Sequence, residues 1–563
     1  MKFMKQIFQY TLLSVLLLAG LSSCHKVEVA ITSELTPAVY PQTAAQFTSA
    51  TGPVYVALRG NYSVDYYFLQ TLSSNEAILP AFGGNWYDGD KYEQLHKHNW
   101  NKDNAWVNSV WSYLENVIGT TNQTIFTLNS APDGAAKQTT LAELKTVRAL
   151  SFFLLMDCYG NVPIDTVYGN TTLHTNTPRA QVFSFVETEL KAALPYLNRV
   201  SGQAQYGRPN AYTAFSILAK MYLNAAVYTG TSRNDDCIAA CDSVINSGLY
   251  SLEPMSTYLQ MFYPTNGPGQ KEFIFAIPYD PSTTNGYMFH GRYDLNRNLG
   301  IRYKYSGSTN GTITDPVMNK TYAGSGLLNA QPSGPQSVLP EYYANYWDPN
   351  DVRNGQWLTG LQYWPDGQPL MVQTTNKGYD ASYSGASPAA TYTYQLNLTP
   401  GMQFRAAATG ANAALFDFGN DEIAWNMGYR NIKFYPDYTN TVSRNQNNDV
   451  PVFRYSDIIL MKAEAILRGG APTQGQTALS LANQLRAVRT TSAAWITINT
   501  DSIYNERARE FSWECWRRND MIRFGRFEDA YGFKTDADVN HRIFPIPTTA
   551  LSTNATLTQN PGY

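Results

Sequence analysis

The segment ERAREFSWECWRRNDMIRFGRF, Glu506 to Phe527, carries the pattern that does most to predict how this chain folds. Its acidic residues recur every four positions among arginines, and aromatic residues stand between them. Side chains four residues apart lie on one face of an α-helix. The spacing therefore predicts one helix whose carboxylates point the same way and whose rings pack into a core. The acidic positions are Glu506, Glu510 and Glu514, and the rings are Phe511, Trp513 and Trp516.

These three carboxylates raise the question of catalysis. A glycosidase needs two carboxyl groups that face each other across the scissile bond, roughly 5–9.5 Å apart, with one of them kept protonated. Carboxylates on one helix face leave no space for a sugar ring between them, and nearby arginines keep them ionised. We therefore interpret the segment as a structural helix whose charges pair with Arg507, Arg509, Arg517 and Arg518.

Composition narrows the class of ligand. The 563 residues include 41 basic and 44 acidic side chains with no basic stripe, which argues against nucleic-acid binding. Only 15% of residues are charged, whereas 40 are tyrosine and 11 are tryptophan. Most of these rings are expected to fill a core. An aromatic excess with little charge also favours binding of a neutral, hydrogen-bonding, partly apolar ligand.

The N-terminus has the features of an export signal. Lys2 and Lys5 precede an apolar run, Thr11 to Leu21, that is shorter than the roughly 20 residues a membrane-spanning helix needs. The run ends in LSSC, which resembles a bacterial lipoprotein processing site. Cleavage there would leave Cys24 as a lipidated N-terminus that anchors the protein to a membrane surface.

Helical periodicity fills two blocks of the chain, and the stretch between them is irregular. The helices combine Ala and Ser with Leu and Tyr and are joined by short turns, which is typical of diverged tetratricopeptide-like helix pairs. The middle is rich in Gly, Pro, Asn, Asp and Tyr, which favours binding loops over disorder. We predict a mainly α unit with little β, divided into a signal peptide (1–23), a tether (24–45), an N-terminal helical part (46–250), a loop-rich ligand-binding region (251–450) and a C-terminal helical part (451–563).

The remaining cysteines and the histidines predict no metal and no cofactor. Cys237 and Cys241 are one helical turn apart, a spacing that does not easily reach disulfide geometry. His96 and His98 are two possible ligands without a third. No nucleophile elbow, phosphate-binding glycine loop or zinc-type histidine spacing occurs. We expect structural thiols at Cys158, Cys237, Cys241 and Cys515.

Five segments in order resemble the SusD/RagB family of surface lipoproteins from Bacteroidetes-type bacteria. They are TVRALSFFLLMDCYGNVPIDT (146–166), GRPNAYTAFSILAKMYLNAA (207–226), VPVFRYSDIILMKAEAILRGG (450–470), the segment quoted first, and IFPIPTTALSTNATLTQNPGY (543–563). Two departures are local: the family usually has Gly where Cys515 stands, and Trp516-Arg517-Arg518 replaces the commoner Arg-Trp-Phe order.

The resemblance implies a mainly helical fold with four tetratricopeptide-like helix pairs and a ligand face built from loops. Family members bind a glycan outside the cell and lie as a lid on a SusC-like TonB-dependent outer-membrane transporter, with the helical-repeat side toward the transporter. No group of members within the family is defined by an enzymatic activity. The implied location is the outer membrane, lipid-anchored, at the cell surface.

Sugars present apolar C–H faces that stack on aromatic rings and hydroxyl groups that bind polar side chains. Trp86 and Tyr87 follow Gly83-Gly84-Asn85 and precede Asp88, so they are predicted to project from a loop. The family places a ligand-binding aromatic in this region. The alternative is that Trp86 fills a space in the core at the end of a helix. We expect Trp100, Trp106 and Trp111, which lie in helical contexts, to be core residues.

The central loops supply a second set of candidates, each flanked by turn residues and polar groups. They are Tyr293, Trp357, Tyr363 and Trp364. Asp351 and Arg353 look like a pair that holds a loop.

Three hypotheses follow from the sequence. The first is a glycan-binding surface lipoprotein that delivers an oligo- or polysaccharide to a transporter, without enzymatic activity. The second is a glycoside hydrolase, which requires an opposed carboxylate pair. The third is a protein-interaction scaffold that binds no sugar. The sequence leaves open which glycan is bound, or whether a peptide replaces it, although low charge favours a neutral polymer.

Overall fold

The structure is a computed structural model that describes residues 40–82, 86–295, 299, 312–315, 320–323, 334–364, 366–374, 392–402, 416–418, 421–436 and 446–563. The predicted signal peptide, Cys24 and the segment Gly83-Gly84-Asn85 lie outside these residues. Within the described part of the chain, no helix is both long and apolar enough to cross a bilayer.

Helices dominate the described residues. The α-helices are α1 Ala44–Ala50, α2 Gly52–Asn61, α3 Tyr67–Leu72, α4 Lys91–Lys97, α5 Ala105–Asn129, α6 Ala135–Tyr159, α7 Arg179–Ala193, α8 Ala211–Leu223, α9 Ala225–Thr229, α10 Asn234–Ile245, α11 Pro340–Tyr346, α12 Glu422–Trp425, α13 Tyr455–Leu467, α14 Ala478–Arg486, α15 Thr500–Glu510, α16 Arg517–Arg523 and α17 Thr548–Thr553. A π-helix spans Tyr62–Tyr66, and 3₁₀ turns span Asp88–Asp90, Leu259–Phe262, His290–Arg292, Val352–Gln356 and Val539–Arg542.

The strands form short antiparallel pairs. They are β1 Ala77–Ile78, β2 Phe273–Ile277, β3 Thr312–Asp315, β4 Lys320–Ala323, β5 Ser337–Val338, β6 Trp357–Leu358, β7 Gly360–Leu361, β8 Met371–Thr374, β9 Tyr392–Gln395, β10 Asn397–Leu398, β11 Arg430–Asn431 and β12 Val450–Arg454. The pairs are β1 with β5, β10 with β7, β11 with β6, β12 with β2, β3 with β4, and β8 with β9. The predicted mainly α fold with little β is confirmed.

Polar residues at the helix starts explain where several helices begin. Asn104 accepts hydrogen bonds from the first backbone N–H groups of α5. Asn210, Thr477 and Asn499 form reciprocal capping boxes at α8, α14 and α15. Such caps satisfy N–H groups that have no partner inside the helix.

The long helices pack in neighbouring pairs, as the small and apolar stripes predict. Helix α5 packs against α6, α6 against α7, α8 against α10, and α13 against α14. Helix α13 also contacts α8, α10 and α15, so it joins helices that lie on both sides of the irregular middle region. Nearly every residue of α8 and α13 is buried, which places both in the centre of the core.

One strand pair fixes where the irregular middle region leaves and rejoins the helical frame. Strand β2 pairs with β12 in a register that places Ile277 opposite Val450 and Phe273 opposite Arg454. All residues of both strands are buried. The chain between these strands, residues 278–449, therefore starts and ends at the same place in the fold.

The segment Glu506 to Phe527 is not the single helix that its spacing predicts. Helix α15 ends at Glu510, and α16 begins only at Arg517. Between them Trp513 and Cys515 have φ of 60° and 66°, a left-handed conformation that breaks a helix. Glu514 therefore lies in the break, outside the helix that carries the other two glutamates.

Tertiary contacts explain this break. Lys433 Nζ donates to the backbone carbonyls of Glu510 (2.9 Å) and Ser512 (3.2 Å), which a continuous helix would use internally. The Trp513 backbone N–H donates to Glu76 Oε2 at 2.9 Å. The left-handed φ of Cys515 also gives a physical reason for a glycine at this position in the family.

Candidate functional site

The glutamates of the opening segment lie in a buried charge network and are not accessible to a ligand. The carboxylate of Glu510 contacts Arg454 at 2.7 Å, Arg489 at 3.0 Å and Arg353 at 3.1 Å. Glu514 contacts Arg454 at 2.7 Å. All of these side chains are buried. The structural interpretation of these carboxylates is confirmed.

Their partners differ from those predicted. Of the four arginines in the same segment, Arg509 does pair with Glu506, at 3.1 Å. Arg507 instead contacts Asp457 and Asp520. The remaining two were also wrongly assigned: the Arg517 guanidinium lies 3.9 Å from the ring centroid of Tyr504 and that of Arg518 lies 4.3 Å from the centroid of Phe544. Arg517 and Arg518 lie on α16, beyond the break, whereas Glu506 and Glu510 lie on α15.

The arginines of the network keep Glu506 and Glu510 ionised. Burial alone would raise the pKa of Glu510, but the guanidinium groups of Arg489, Arg454 and Arg353 outweigh it and hold that pKa well below the usual value. The pKa of Glu506 is lowered as well, because Arg353, Arg509 and Arg486 together outweigh the effect of burial. An ionised, enclosed carboxylate does not act as a general acid.

Arg353 reaches this network from the loop-rich region. Its guanidinium contacts Asp351 at 2.6 Å and Glu506 at 2.8 Å. Asp351 also caps the 3₁₀ turn that carries Arg353. The prediction that these two residues hold a loop is confirmed.

Trp86 and Tyr293 come together in the structure, although most of the N-terminal helices separate them in sequence. Their rings meet edge to face with centroids 5.1 Å apart. Both side chains are half-buried. Tyr293 in turn meets Phe68 edge to face at 4.8 Å. Phe68 is buried and contacts two further buried rings, so that the Trp86 group consists of Trp86, Tyr293, Phe68, Tyr92 and Trp106.

Charged side chains surround the Trp86 group. The guanidinium of Arg292 lies 5.3 Å from the centroid of the Tyr293 ring. Lys91 lies 4.6 Å from the Trp106 ring and 3.4 Å from the exposed carboxylate of Asp88. An aromatic surface with charged and hydrogen-bonding groups at its edge suits a ligand that has both apolar faces and hydroxyl groups.

The backbone beside Trp86 is strained. Trp86 has φ of 66°, and Asp88, Gly89 and Asp90 have φ of 48°, 72° and 71° in succession. Residues other than glycine rarely adopt this conformation, and such strain is frequent at functional sites. Tyr87, between them, is half-buried. Burial and the nearby Glu93 carboxylate raise the pKa of Asp90 to about 6.

Trp357 belongs to a second set of rings, the Trp347 group. Tyr343 lies at its centre, with ring centroids 4.5 Å from Tyr429, 5.2 Å from Trp347 and 6.2 Å from Trp357. Trp347 is 44% exposed, and the other three rings are half-buried. This group is a surface patch of aromatic side chains carried by α11, β6 and the residue before β11.

The two remaining candidates lie on a turn near a separate apolar cluster. Tyr363 pairs across the turn with Pro369 and is 42% exposed. Trp364 is half-buried and packs against a cluster that includes Leu295, Leu370 and Leu396. Within the described part of the chain, Trp86, Trp357 and Trp364 therefore do not form one group of touching rings.

The Trp86 group and the Trp347 group are neighbours nevertheless. The backbone N–H of Gln336 donates to the carbonyl of Tyr293 at 3.3 Å, and that of Val338 donates to the carbonyl of Tyr429 at 3.0 Å. One residue, Ser337, lies between these donors, so they are at most about 7 Å apart along the chain. The segment that contains Gln336 and Val338 thus connects a tyrosine of each group.

Sequence reasoning missed three members of the Trp347 group: Tyr343, Trp347 and Tyr429. Tyr343 and Trp347 are four residues apart in EYYANYWDPN, a spacing that places two rings on one face of a helix. That spacing is the sequence signal from which the pairing of these two rings could have been predicted. Phe82 and Trp425, whose ring centroids are 4.4 Å apart, form a further half-buried pair.

The fold and these surfaces define a class of protein in which pairs of helices form a frame and loops on that frame carry an aromatic surface. Comparison with known proteins places the chain within that class. The model of the SusD family matches residues 271–563, and a model described as starch-binding and associating with the outer membrane matches residues 42–223. The chain belongs to the SusD/RagB family.

Three relatives and solved structures carry names that state a carbohydrate ligand. The starch-binding protein SusD of Bacteroides thetaiotaomicron is 22% identical over 604 aligned residues, which cover 100% of this chain and 99% of SusD. A laminarin-binding SusD-like protein superposes with a TM-score of 0.64 at 21% identity, covering 92% of this chain and 99% of its own. Surface glycan-binding protein A of B. thetaiotaomicron, in complex with laminarihexaose, gives a TM-score of 0.60 at 18% identity, covering 92% and 100%.

Proposed function

We propose that this protein is a cell-surface lipoprotein that binds a neutral oligo- or polysaccharide and delivers it to a SusC-like TonB-dependent outer-membrane transporter. The observation that carries the proposal is the contact between Trp86 and Tyr293. These half-buried rings rest on buried rings and have Asp88 and Arg292 at their edge. The names of the relatives, which bind starch and laminarin, support a glycan as ligand.

The aromatic groups set the expected strength of binding. Stacking of one ring on an aromatic side chain contributes about 1–3 kcal/mol by analogy with nucleic-acid bases. Two or three such contacts with hydrogen bonds correspond to a Kd of about micromolar order. This affinity suits capture at the surface followed by release to a transporter.

The remaining parts of the proposal rest on the sequence and the family. The export signal and Cys24 support a lipid anchor. The family resemblance supports the transporter partner, with the helix pairs as its contact side and residues 251–450 as the main ligand-binding region. The enclosed glutamates of the opening segment support a binding role without hydrolysis.

A glycan array and affinity gels with the purified protein test the proposal. We expect retention by at least one neutral polysaccharide, and Trp86→Ala should weaken it by about 5- to 150-fold, the loss of one stacking contact. Trp495→Ala is the matched control, because Trp495 is also half-buried but contacts Arg486 in the C-terminal helices. Equal retention of wild type and Trp86→Ala would refute the site, and released sugar products would refute the non-catalytic role.

A further inference from the structure

A cavity of about 540 Å³, which shares no lining residue with either aromatic group, lies between α11, α15 and the chain after α16. Its walls include the rings of Tyr342, Tyr346, Tyr504 and Tyr531. The volume lies within the range of about 300–1,000 Å³ that is typical of small-molecule sites. Helix α11 lies between the cavity and the Trp347 group, because Tyr342 and Tyr346 line the cavity while Tyr343 belongs to that group. The two adjoin, since the Tyr342 ring meets Trp357 edge to face with centroids 6.3 Å apart.

A buried arginine fixes hydrogen-bond donors in the cavity wall. Arg517 donates to Oδ1 of Asn75 at 2.8 Å and to the hydroxyl oxygen of Tyr346 at 2.7 Å. Because both groups accept from Arg517, the amide hydrogens of Asn75 and the hydroxyl hydrogen of Tyr346 remain for a ligand. The Arg517 guanidinium also stacks on Tyr504, which holds that ring in place.

Two further amides line the cavity without a protein partner. Asn345 is on α11, and the half-buried Asn505 is on α15. In the described part of the structure no residue hydrogen-bonds either side chain. Each amide offers two donors and one acceptor oxygen. Donors and acceptors set among tyrosine rings form the combination that recognises the hydroxyl groups and C–H faces of a sugar.

The charge at the cavity rim selects against anionic ligands. Arg526 is the cation there, and it contacts Asp501 at 3.0 Å and Asp529 at 3.7 Å. Glu341 is a third carboxylate, which accepts a hydrogen bond from the Gly532 backbone N–H. Among the described residues, these three carboxylates outnumber the guanidinium groups of Arg526 at the rim and Arg517 behind the wall, and the net negative charge disfavours an anionic ligand.

We propose that this cavity is a second saccharide site, which binds one or a few rings of a neutral sugar independently of the Trp86 group. It goes beyond the proposed function, since it uses different residues and does not require Trp86. A glycan long enough to reach both sites would be held by two linked contacts, which raises its overall affinity without any change at the first site.

Saturation-transfer NMR tests the proposal with glucose, galactose, mannose, xylose and N-acetylglucosamine, each at about tens of millimolar to detect weak binding. The variant is Asn505→Leu, which fills the cavity wall and keeps helix α15, because leucine is a better helix former than asparagine. Asn345→Ala removes the amide from the opposite wall. Asn129→Leu, at an exposed helix position, is the matched control.

We expect at least one sugar to give a signal with wild type, Trp86→Ala and Asn129→Leu. In Asn505→Leu and Asn345→Ala the same signal should fall by at least about fivefold, which corresponds to the loss of one polar contact. The proposal is overturned if no sugar in the panel gives a signal that Asn505→Leu reduces, or if Trp86→Ala abolishes every signal. A loss in Asn505→Leu combined with unchanged array retention in Trp86→Ala would support the cavity and refute the Trp86 site.

Discussion

Glu76 Oε2 accepts a hydrogen bond of 2.9 Å from the backbone N–H of Trp513, which is 437 residues away in sequence. Glu76 has no exposed surface, and its other carboxyl oxygen has no partner among the described residues. Burial raises the pKa of Glu76 from 4.5 to about 8. One of the two residues that hold the break between α15 and α16 is thus a neutral acid at physiological pH.

This pKa predicts how stability depends on pH. Between pH 4.5 and pH 8 the unfolded chain has lost the Glu76 proton while the folded chain keeps it. The free energy of unfolding therefore falls as pH rises through this window, by about 1.4 kcal/mol per unit from this group. Glu76→Gln cannot lose a proton, so thermal melts should show a flatter decline with pH and a higher Tm than wild type at pH 8.

Glu187→Gln is the control for this pH effect. Its partners Lys191 and Arg233 outweigh burial and lower the pKa of Glu187 to about 2, so its charge does not change between pH 4.5 and pH 8. Its substitution should shift the whole melting profile without changing its slope. A Glu76→Gln profile parallel to that of wild type would contradict the assignment.

The edge-to-face contact between Trp86 and Tyr293 predicts coupled effects on binding. Each ring positions the other, so Trp86→Ala and Tyr293→Ala should together weaken glycan binding by less than the sum of the single effects. Residues in contact typically show coupling of about 0.5–3 kcal/mol. Titration calorimetry on wild type, the two single variants and the double variant measures this coupling. Strict additivity of the losses in binding free energy would show that the rings act separately.

Trp347 predicts a dependence on ligand length. It is the most exposed ring of its group, and this group adjoins the Trp86 group through Gln336 and Val338. Trp347→Ala should weaken retention by a polysaccharide in affinity gels while leaving a short oligosaccharide at the Trp86 group unaffected. Its side chain is on the surface, so the Tm should change little. Equal losses for short and long ligands would contradict this division.

Glu510 should be among the residues most sensitive to neutralisation. Glu510→Gln leaves three buried guanidinium groups short of a counter-charge, and breaking a buried pair costs about 3–5 kcal/mol. Asp501→Asn, in the exposed pair with Arg526, should cost at most about 1 kcal/mol. Denaturant unfolding measures both, and similar values would mean that the buried network contributes no more than a surface pair.

Cys515 predicts an unusual tolerance of glycine. Its φ of 66° is strained for cysteine. Cys515→Gly relieves that strain but loses a buried thiol, and because the two effects oppose each other the free energy of unfolding should change by less than about 1 kcal/mol. Cys237→Gly has the same chemistry inside α10, where glycine adds a helix penalty, and should cost about 2 kcal/mol or more. Equal costs would argue against strain at Cys515.

The helices were predictable because their signal is local. The stripes in α6, α8, α13 and α14 depend only on residues a few positions apart. All four cysteines after Cys24 are buried and free, and Trp100, Trp106 and Trp111 are buried, as predicted.

The contacts of the opening segment were not predictable in the same way. The partners of Glu510 come from segments 21 to 157 positions away, and the break after Glu510 depends on Lys433 and Glu76. Local spacing favours pairs within a helix and contains no information about such long-range partners. The joining of Trp86 with Tyr293, and the separate position of Trp364, depend on the fold for the same reason.

The pairing of β2 with β12 makes residues 278–449 an exchangeable cassette. Both ends lie on adjacent buried strands, so a replacement of different length can be inserted without stretching the helices, and longer loops cost only slightly more closure entropy. The replacement must supply cations in the roles of Arg353 and Lys433 to neutralise Glu510 and Glu514, and apolar side chains in place of the core residues Val338, Leu339 and Phe434. Under those conditions a chimaera would acquire the donor's preference at the Trp347 group, whereas Trp86 and the cavity wall of Tyr504, Asn505 and Tyr531 remain with the host.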